Sequence, residues 1–271
     1  MLGVMSWKTS ARWVFGVTLI AIGIIALVEG GFAPIWRPVP ETTPARDLLA
    51  YLCTFVSLVC GAGLLFRRTA APAALVLLVV LLIWTALFKV PFIIRAPLEE
   101  GSYQSNGENA VLIAAAWILY VELAKGRNFF SGRLGMRIAL LLYGLALIAF
   151  GLSHFFYVNL TAPLVPEWLP GPLFWAYFTG CIYLVAGLAV ACRLAPRFGA
   201  FVAALQITVI TFLVWGPMLA AGGMEPFRWQ ETVVSWALTA AAWVIAVSFE
   251  GRRWFEPFDA PMLSRGRAAA A

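Results

Sequence analysis

The sequence holds a single histidine, His154, seventeen residues after Arg137. On a helix rising 1.5 Å per residue that separation is about 25 Å, which carries the ring from a basic boundary to the far interface of a bilayer. An ionisable group at such a place is read by default as a functional candidate. Two chemistries are open to it: a hydrogen bond to a loop carbonyl, or a hydrogen bond to a quinone carbonyl with or without proton relay. One histidine cannot build bis-histidine haem ligation or an all-histidine metal site, so neither haem nor a metal is expected. Lys89, two residues before Pro91, is the second candidate. Its amine can snorkel out to lipid headgroups. Alternatively it pairs with Glu29 and joins Arg37 and Arg95 in holding an anionic headgroup or substrate.

The other polar groups suggest less. Glu122 and Glu250 stand near basic residues in equivalent places and read as structural ion pairs. Glu99, Glu100, Glu108 and Asn109 read as a solvated acidic loop. Cys53, Cys60, Cys181 and Cys192 all lie in apolar runs without a C-x-x-C spacing, so they read as small packing residues. Asn159-Leu160-Thr161 matches a glycosylation sequon, a pattern that recurs by chance. The sequence contains no phosphate-binding Walker loop, no H-E-x-x-H, no G-x-S-x-G and no dinucleotide fingerprint.

The elements that carry these residues are apolar helices. Hydrophobic residues make up 62% of the chain and charged ones 12%, against roughly 45–50% apolar in soluble domains. With mean hydropathy at +0.89, lipid must cover the surface. Eight spans are predicted, at 13–28, 48–66, 73–94, 110–124, 138–158, 173–192, 198–221 and 233–249. A crossing takes about 20 residues, so the fourth is the shortest candidate. No small-x-small cleavage site follows the first, which is expected to remain. With the N-terminus inside, fourteen of the nineteen basic residues fall in inner segments, and nine of the thirteen acids fall outside. The positive-inside rule then predicts both termini cytoplasmic, in a bacterial inner membrane. The net charge of +6 thus marks topology, and no nucleic-acid partner is expected.

The chain also resembles itself. Phe15-Gly16 to Gly23 returns as Tyr143-Gly144 to Gly151, and Ala50-Tyr51, Gly61, Pro91 and Trp117 return as Ala176-Tyr177, Gly187, Pro217 and Trp243. A period of about 126–128 residues implies two copies of one unit. The expected fold is therefore all-α, a polytopic membrane protein of eight transmembrane helices in two tandem four-helix bundles lying parallel. The units are placed at 1–126 and 127–257, followed by a disordered cytoplasmic tail at 258–271. Each unit opens with a long Pro/Trp-rich outer connection, around Pro34 to Pro40 and Pro163 to Pro172. These connections are either interfacial anchors or lids over a lipid-accessible pocket.

The stretch Gly151-Leu-Ser-His154-Phe155-Phe156, with Val165-Pro166-Glu-Trp168-Leu-Pro170, Tyr177-Phe-Thr-Gly180 and Gly187-Leu-Ala, resembles the DoxX-like family of small membrane proteins. The resemblance covers about residues 137–221 and marks His154, Pro166, Trp168 and Tyr177 as family-pattern positions. Many members carry a second-helix glutamate where this chain has Tyr183, with Ser57 as its first-copy counterpart. The resemblance implies a four-helix unit and a role beside respiratory or sulfur metabolism.

Three functions follow as expectations. The first is an accessory subunit of a quinone-linked redox system, with a quinone as cofactor and a redox protein as partner. In it His154 donates to a quinone carbonyl, and Trp168 and Tyr177 line the pocket. The second is a transporter or lipid- or small-molecule-binding protein with Lys89, Glu29 and His154 around the ligand. The third is a structural membrane partner without activity of its own. All three place the chain in contact with membrane lipid.

Overall fold

The computed structural model describes residues 6–124, 126, 128–223 and 225–259. It is 80% helical and without strands. Eight helices among the described residues are long and apolar enough to cross a membrane: α1 (Trp7–Glu29), α2 (Arg46–Leu65), α3 (Ala70–Arg95), α4 (Glu100–Ala124), α5 (Arg133–Phe156), α6 (Pro172–Ala191), α7 (Pro196–Ala221) and α8 (Pro226–Ser248). The protein is an integral membrane protein by this measure.

The fourth helix departs from expectation. It starts at Glu100, ten residues before the apolar run at 110–124, so the acidic loop expected there is helix instead. Hydropathy misses this part because most of its polar groups find partners inside the bundle, although the Asn109 amide oxygen has none among the described residues. Ser102 donates to the Glu99 carbonyl at 2.8 Å, and Asn106 Nδ2 donates to the Ser102 and Lys89 carbonyls at 2.9 and 2.8 Å. Asn109 is wholly buried.

Burial explains the layout. In α4 and α8, 72% and 67% of the apolar window is buried, against 33–44% in the other six, so these two form the centre. Helix α4 packs on α3, α5 and α8, and α8 packs on α7, α1 and α4. Helices α1, α2 and α3 thereby close one ring with the central pair, and α5, α6 and α7 close a second. The six outer helices turn residues such as Val28, Phe55, Phe66 and Val185 outward, where lipid is the only apolar solvent.

Small residues set the tightest contacts. A Cβ at Gly61 would stand 2.6 Å from the Gly16 carbonyl oxygen, and one at Gly187 would stand 2.8 Å from that of Gly144. Helices α1 and α2 therefore touch backbone to backbone, as do α5 and α6. In lipid such close approach supplies much of the association energy. A turn of π-helix interrupts α3 at Thr85–Lys89 and α7 at Thr211–Trp215, just before Pro91 and Pro217. Proline lacks an N–H and crowds the carbonyl four residues back, and the wider turn relieves both defects.

The first ring is filled by its own connection. The short 3-10 turn Pro34–Trp36 dips between the helices, and Trp36 is fully buried. Its indole donates to Ser57 Oγ at 3.1 Å, while the Trp84 indole donates to the Trp36 carbonyl at 3.0 Å. The Trp84 ring packs edge-on against it and is itself flanked by Phe32 and Phe88.

At the end holding the N-terminus of α1, Lys8 Nζ lies 2.6 Å from Glu122 and also donates to the Ser248 carbonyl at 3.3 Å. One cation thus ties α1 to the ends of both central helices. The chain beyond α8 stays docked as far as Asp259, two residues into the segment expected to be a loose tail. Phe258 N–H donates to the Arg193 carbonyl, and the Asp259 carboxylate accepts from Arg137 Nη2 at 2.6 Å and lies 3.2 Å from Arg193. Residues 260–271 lie outside the described ones.

The hydrogen bond from Arg137 holds the Asp259 carboxyl below its ordinary value of 3.8, with the charges of Arg137, Arg193 and Arg133 acting in the same direction. A lowered folded pKa means the tie is present above the unfolded value and is lost as pH falls through the folded one. Amide exchange around Phe258, taken relative to the intrinsic rate at each pH, is therefore expected to stay slow near neutral pH and to quicken only below 3.8. Asp259→Asn should quicken it already at neutral pH. Equal exchange in the two proteins there would show that the carboxylate holds nothing.

Candidate functional site

The second ring is not filled. A cavity of about 1000 Å³ opens here, lined by α4 to α8 and, on one side, by Arg37 to Val39 of the first connection, Arg46 and Phe92. The size is at the upper end for small-molecule sites. The connection that plugs the first ring has no equivalent plug here. Leu164, Val165, Pro166 and Trp168 lie on the cavity's rim, with Trp168 and Phe227 more than half exposed at the mouth. The deeper walls are apolar and aromatic, from the buried Phe150, Ile207 and Trp215.

The polar groups on this wall include three carboxyl groups. Glu100, Glu108 and Glu231 all face the cavity. Glu100 accepts from Ser153 Oγ at 2.7 Å, and Glu108 accepts from Gln104 Nε2 at 3.1 Å. Glu231 takes no hydrogen bond among the described residues, and none of the three forms an ion pair there. Two donors nearby are committed elsewhere: Gln206 Nε2 to the Thr179 carbonyl at 3.0 Å, and the Trp175 indole to the Pro170 carbonyl at 3.0 Å. The Gln206 amide oxygen is left over. That residue is 8% exposed, lines the cavity, and its Oε1 has no partner. Buried amide oxygens are normally paired, so this one marks a place where a donor belongs.

Arg37 and Arg46 also reach the cavity wall; Arg37 is engaged on its far side, whereas Arg46 Nε is buried without a hydrogen-bond partner among the described residues. Arg37 donates through Nε to the Phe32 carbonyl at 2.8 Å and lies 3.3 Å from Glu29. Arg46 lies over the Phe32 ring, 5.3 Å from its centre.

His154 stands on the cavity wall between Ser153 and the aromatic rings of Phe150 and Tyr183. Its Nδ1 lies 2.8 Å from the Phe150 carbonyl. A carbonyl only accepts, so Nδ1 carries the proton and Nε2 of the neutral ring is an acceptor. The expectation that His154 donates to a quinone carbonyl needs the reverse arrangement. As placed, Nε2 of the neutral imidazole is free to accept a hydrogen bond.

The other expected site residues are separated from it. Tyr177 stacks on Phe155 at 5.4 Å between ring centres, is 40% exposed, and does not line the cavity. Trp168 does line it. Lys89 is 1% exposed and does not snorkel to the headgroups. The π-turn carries its amine inward, where it donates to Ser105 Oγ at 2.6 Å and to the Arg37 carbonyl. It does not meet Glu29, which accepts instead from Arg37 and, at 2.6 Å, from the Trp229 indole. Lys89 and Glu29 thus hold the first connection and α8 in place and do not reach the cavity.

Glu108, Glu231 and Gln206 were not anticipated. Gln206 had a legible signal, a lone amide in the apolar run 198–221. The two glutamates had none, since each sits near the end of a span where charge is ordinary. Comparison of the chain with family models, curated proteins and solved structures returned no match.

Proposed function

We propose that this protein binds a small amphipathic molecule or lipid inside the membrane, in the cavity between α4 and α8, as a binding or transport protein. The observation that carries this reading is a cavity of about 1000 Å³ with aromatic walls, lined by carboxylates that form no ion pair among the described residues and by two buried polar atoms without partners, Arg46 Nε and Gln206 Oε1. A structural scaffold protein gains nothing from leaving such a void open, because an unfilled cavity forfeits packing.

We further read the chain as two fused DoxX-like units with both termini cytoplasmic in a bacterial inner membrane. Two recurrences support the duplication. The π-turns before Pro91 and Pro217 are 126 residues apart, and the glycine contacts Gly16–Gly61 and Gly144–Gly187 match one another. The basic cluster of Lys8, Arg137, Arg193 and Arg197 at one end supports the orientation. A second function, the accessory subunit of a quinone-linked redox system that the DoxX-like resemblance implies, is favoured by His154 on the wall. In that reading the ring accepts from a quinol hydroxyl, since Nδ1 is already spent on Phe150.

The test is photolabelling in vesicles with 4-benzoylbenzyl alcohol, a neutral aromatic probe, with labelled peptides mapped by mass spectrometry. Labels are expected on the cavity faces of α6 and α7. Ser235→Trp, which fills the cavity from α8, should reduce them by about tenfold. Labels confined to the lipid-facing sides, or unchanged by Ser235→Trp, would sink the cavity reading. Competition by a soluble short-chain quinol but not by other aromatics would select the redox function.

A further inference from the structure

Apart from the cavity, we infer that Arg12 of α1 and Arg67, two residues beyond α2, hold a phosphate group at the end of the bundle where α1 begins. Neither residue lines the cavity. Arg12 stands one turn before Gly16, whose face of α1 meets Gly61, Leu64 and Leu65, so its side chain looks onto the end of α2. It is 7% exposed and takes no hydrogen bond or ion pair among the described residues. Its nitrogens are not sealed off as Arg46 Nε is, so an ion can reach them. The charge that acts on it is another cation, Arg67, which is exposed and likewise unpaired among the described residues. All thirteen Asp and Glu residues of the chain are described, and none of them pairs with either arginine.

The second copy shows the same place without such a pair. In the register of the internal repeat, the counterparts of Arg12 and Arg67 are Leu140 and Arg193. Leu140 is fully buried, and Arg193 has the Asp259 carboxylate at 3.2 Å. One copy is thus neutralised at these two positions, and the other carries two bare cations. A buried charge left unpaired is costly, and a like charge beside it raises the cost, so the pair calls for an anion from outside the chain. Guanidinium groups meet phosphate oxygens through paired, charge-assisted hydrogen bonds. Two sources share that chemistry: the headgroup of an anionic phospholipid, or a free phosphate. The surroundings favour the lipid. Trp13 and Phe66, next to Arg12 and Arg67 in the chain, are exposed aromatic rings of the kind that sit where acyl chains meet headgroups. Basic pockets between membrane helices hold headgroups in this way.

The test is native mass spectrometry of the full chain in dodecyl maltoside, titrated with phosphatidylglycerol or with phosphatidylcholine, whose own ammonium cancels its phosphate. Phosphatidylglycerol is expected to bind about tenfold more tightly, as one charge-assisted hydrogen bond requires. Arg12→Leu installs the residue of the second copy and should abolish that preference, with an unchanged circular dichroism spectrum showing that the variant is folded. Arg253→Gln removes an exposed cation from the same end and should leave the preference intact. Equal affinity for the two lipids, or a preference that survives Arg12→Leu, overturns the site. An equal loss in Arg253→Gln also overturns it, since the attraction would then be diffuse. Should Arg12→Leu fail to fold, Arg12→Lys decides: it keeps the charge without the fork and must weaken the preference severalfold, and an unchanged preference overturns the assignment. Inorganic phosphate added with the lipid identifies the source. Displacement of phosphatidylglycerol assigns the site to free phosphate, and its retention assigns the site to a lipid headgroup.

Discussion

Trp36→Ala is expected to destabilise the protein by about 3–5 kcal/mol, the cost of emptying a fully buried indole site. The side chain is wholly buried, and its backbone carbonyl also receives the Trp84 indole. Removing the ring would leave Ser57 Oγ without its donor and turn the first ring into a cavity like the second. Unfolding followed by circular dichroism in detergent reads the loss directly. Trp36→Phe is the control. It keeps most of the packing and removes only the hydrogen bond to Ser57, so about 1 kcal/mol should be lost. A drop for Trp36→Ala no larger than that for Trp36→Phe would mean that the indole does not hold the ring together by packing.

Gly187→Leu is expected to be at least as disruptive to the site. A Cβ there would stand 2.8 Å from the Gly144 carbonyl oxygen and 2.9 Å from the Ile148 nitrogen, and both obstacles are backbone that cannot step aside. Helices α5 and α6 must separate, at a cost of about 1–3 kcal/mol or more. These helices carry His154 and Tyr183, so cavity labelling should fall together with stability. Gly61→Leu meets the same obstacles, at 2.6 Å from the Gly16 oxygen and 2.9 Å from the Ile20 nitrogen. It should destabilise by a similar amount yet disturb the cavity less, because α1 and α2 lie on the other ring. Equal loss of labelling in the two variants would break this separation between the rings.

Much of the scaffold was legible in the chain. The eight spans were visible because lipid leaves an apolar helix no other way to satisfy its backbone. Gly61 and Gly187 could be marked as packing positions because small residues at helical spacing permit close approach. The second outer connection lies on the cavity rim, where the lid alternative for the Pro/Trp loops had placed it, but the first connection is a plug. Of the residues singled out in the sequence, His154 and Trp168 lie on the cavity wall. Tyr177 was drawn in by its place in a pattern, yet the helix turns it outward to Phe155. Lys89 and Glu29 were paired because both sit near one interface. The structure gives each a different partner, since rotation about a helix axis decides contact as much as depth does.

By itself, the sequence determined the membrane as solvent, the number of helices, and the small residues on which they close. All of these follow from composition and periodicity, which are local along the chain. Only the tertiary structure decided that α4 and α8 would be central, that Trp36 would fill one ring, and that the other would stay open to three carboxylates. Those outcomes depend on which helix faces meet across more than a hundred residues. A glutamate near the end of a span reads the same whether it faces headgroups or a cavity, until the neighbouring helices are in place around it.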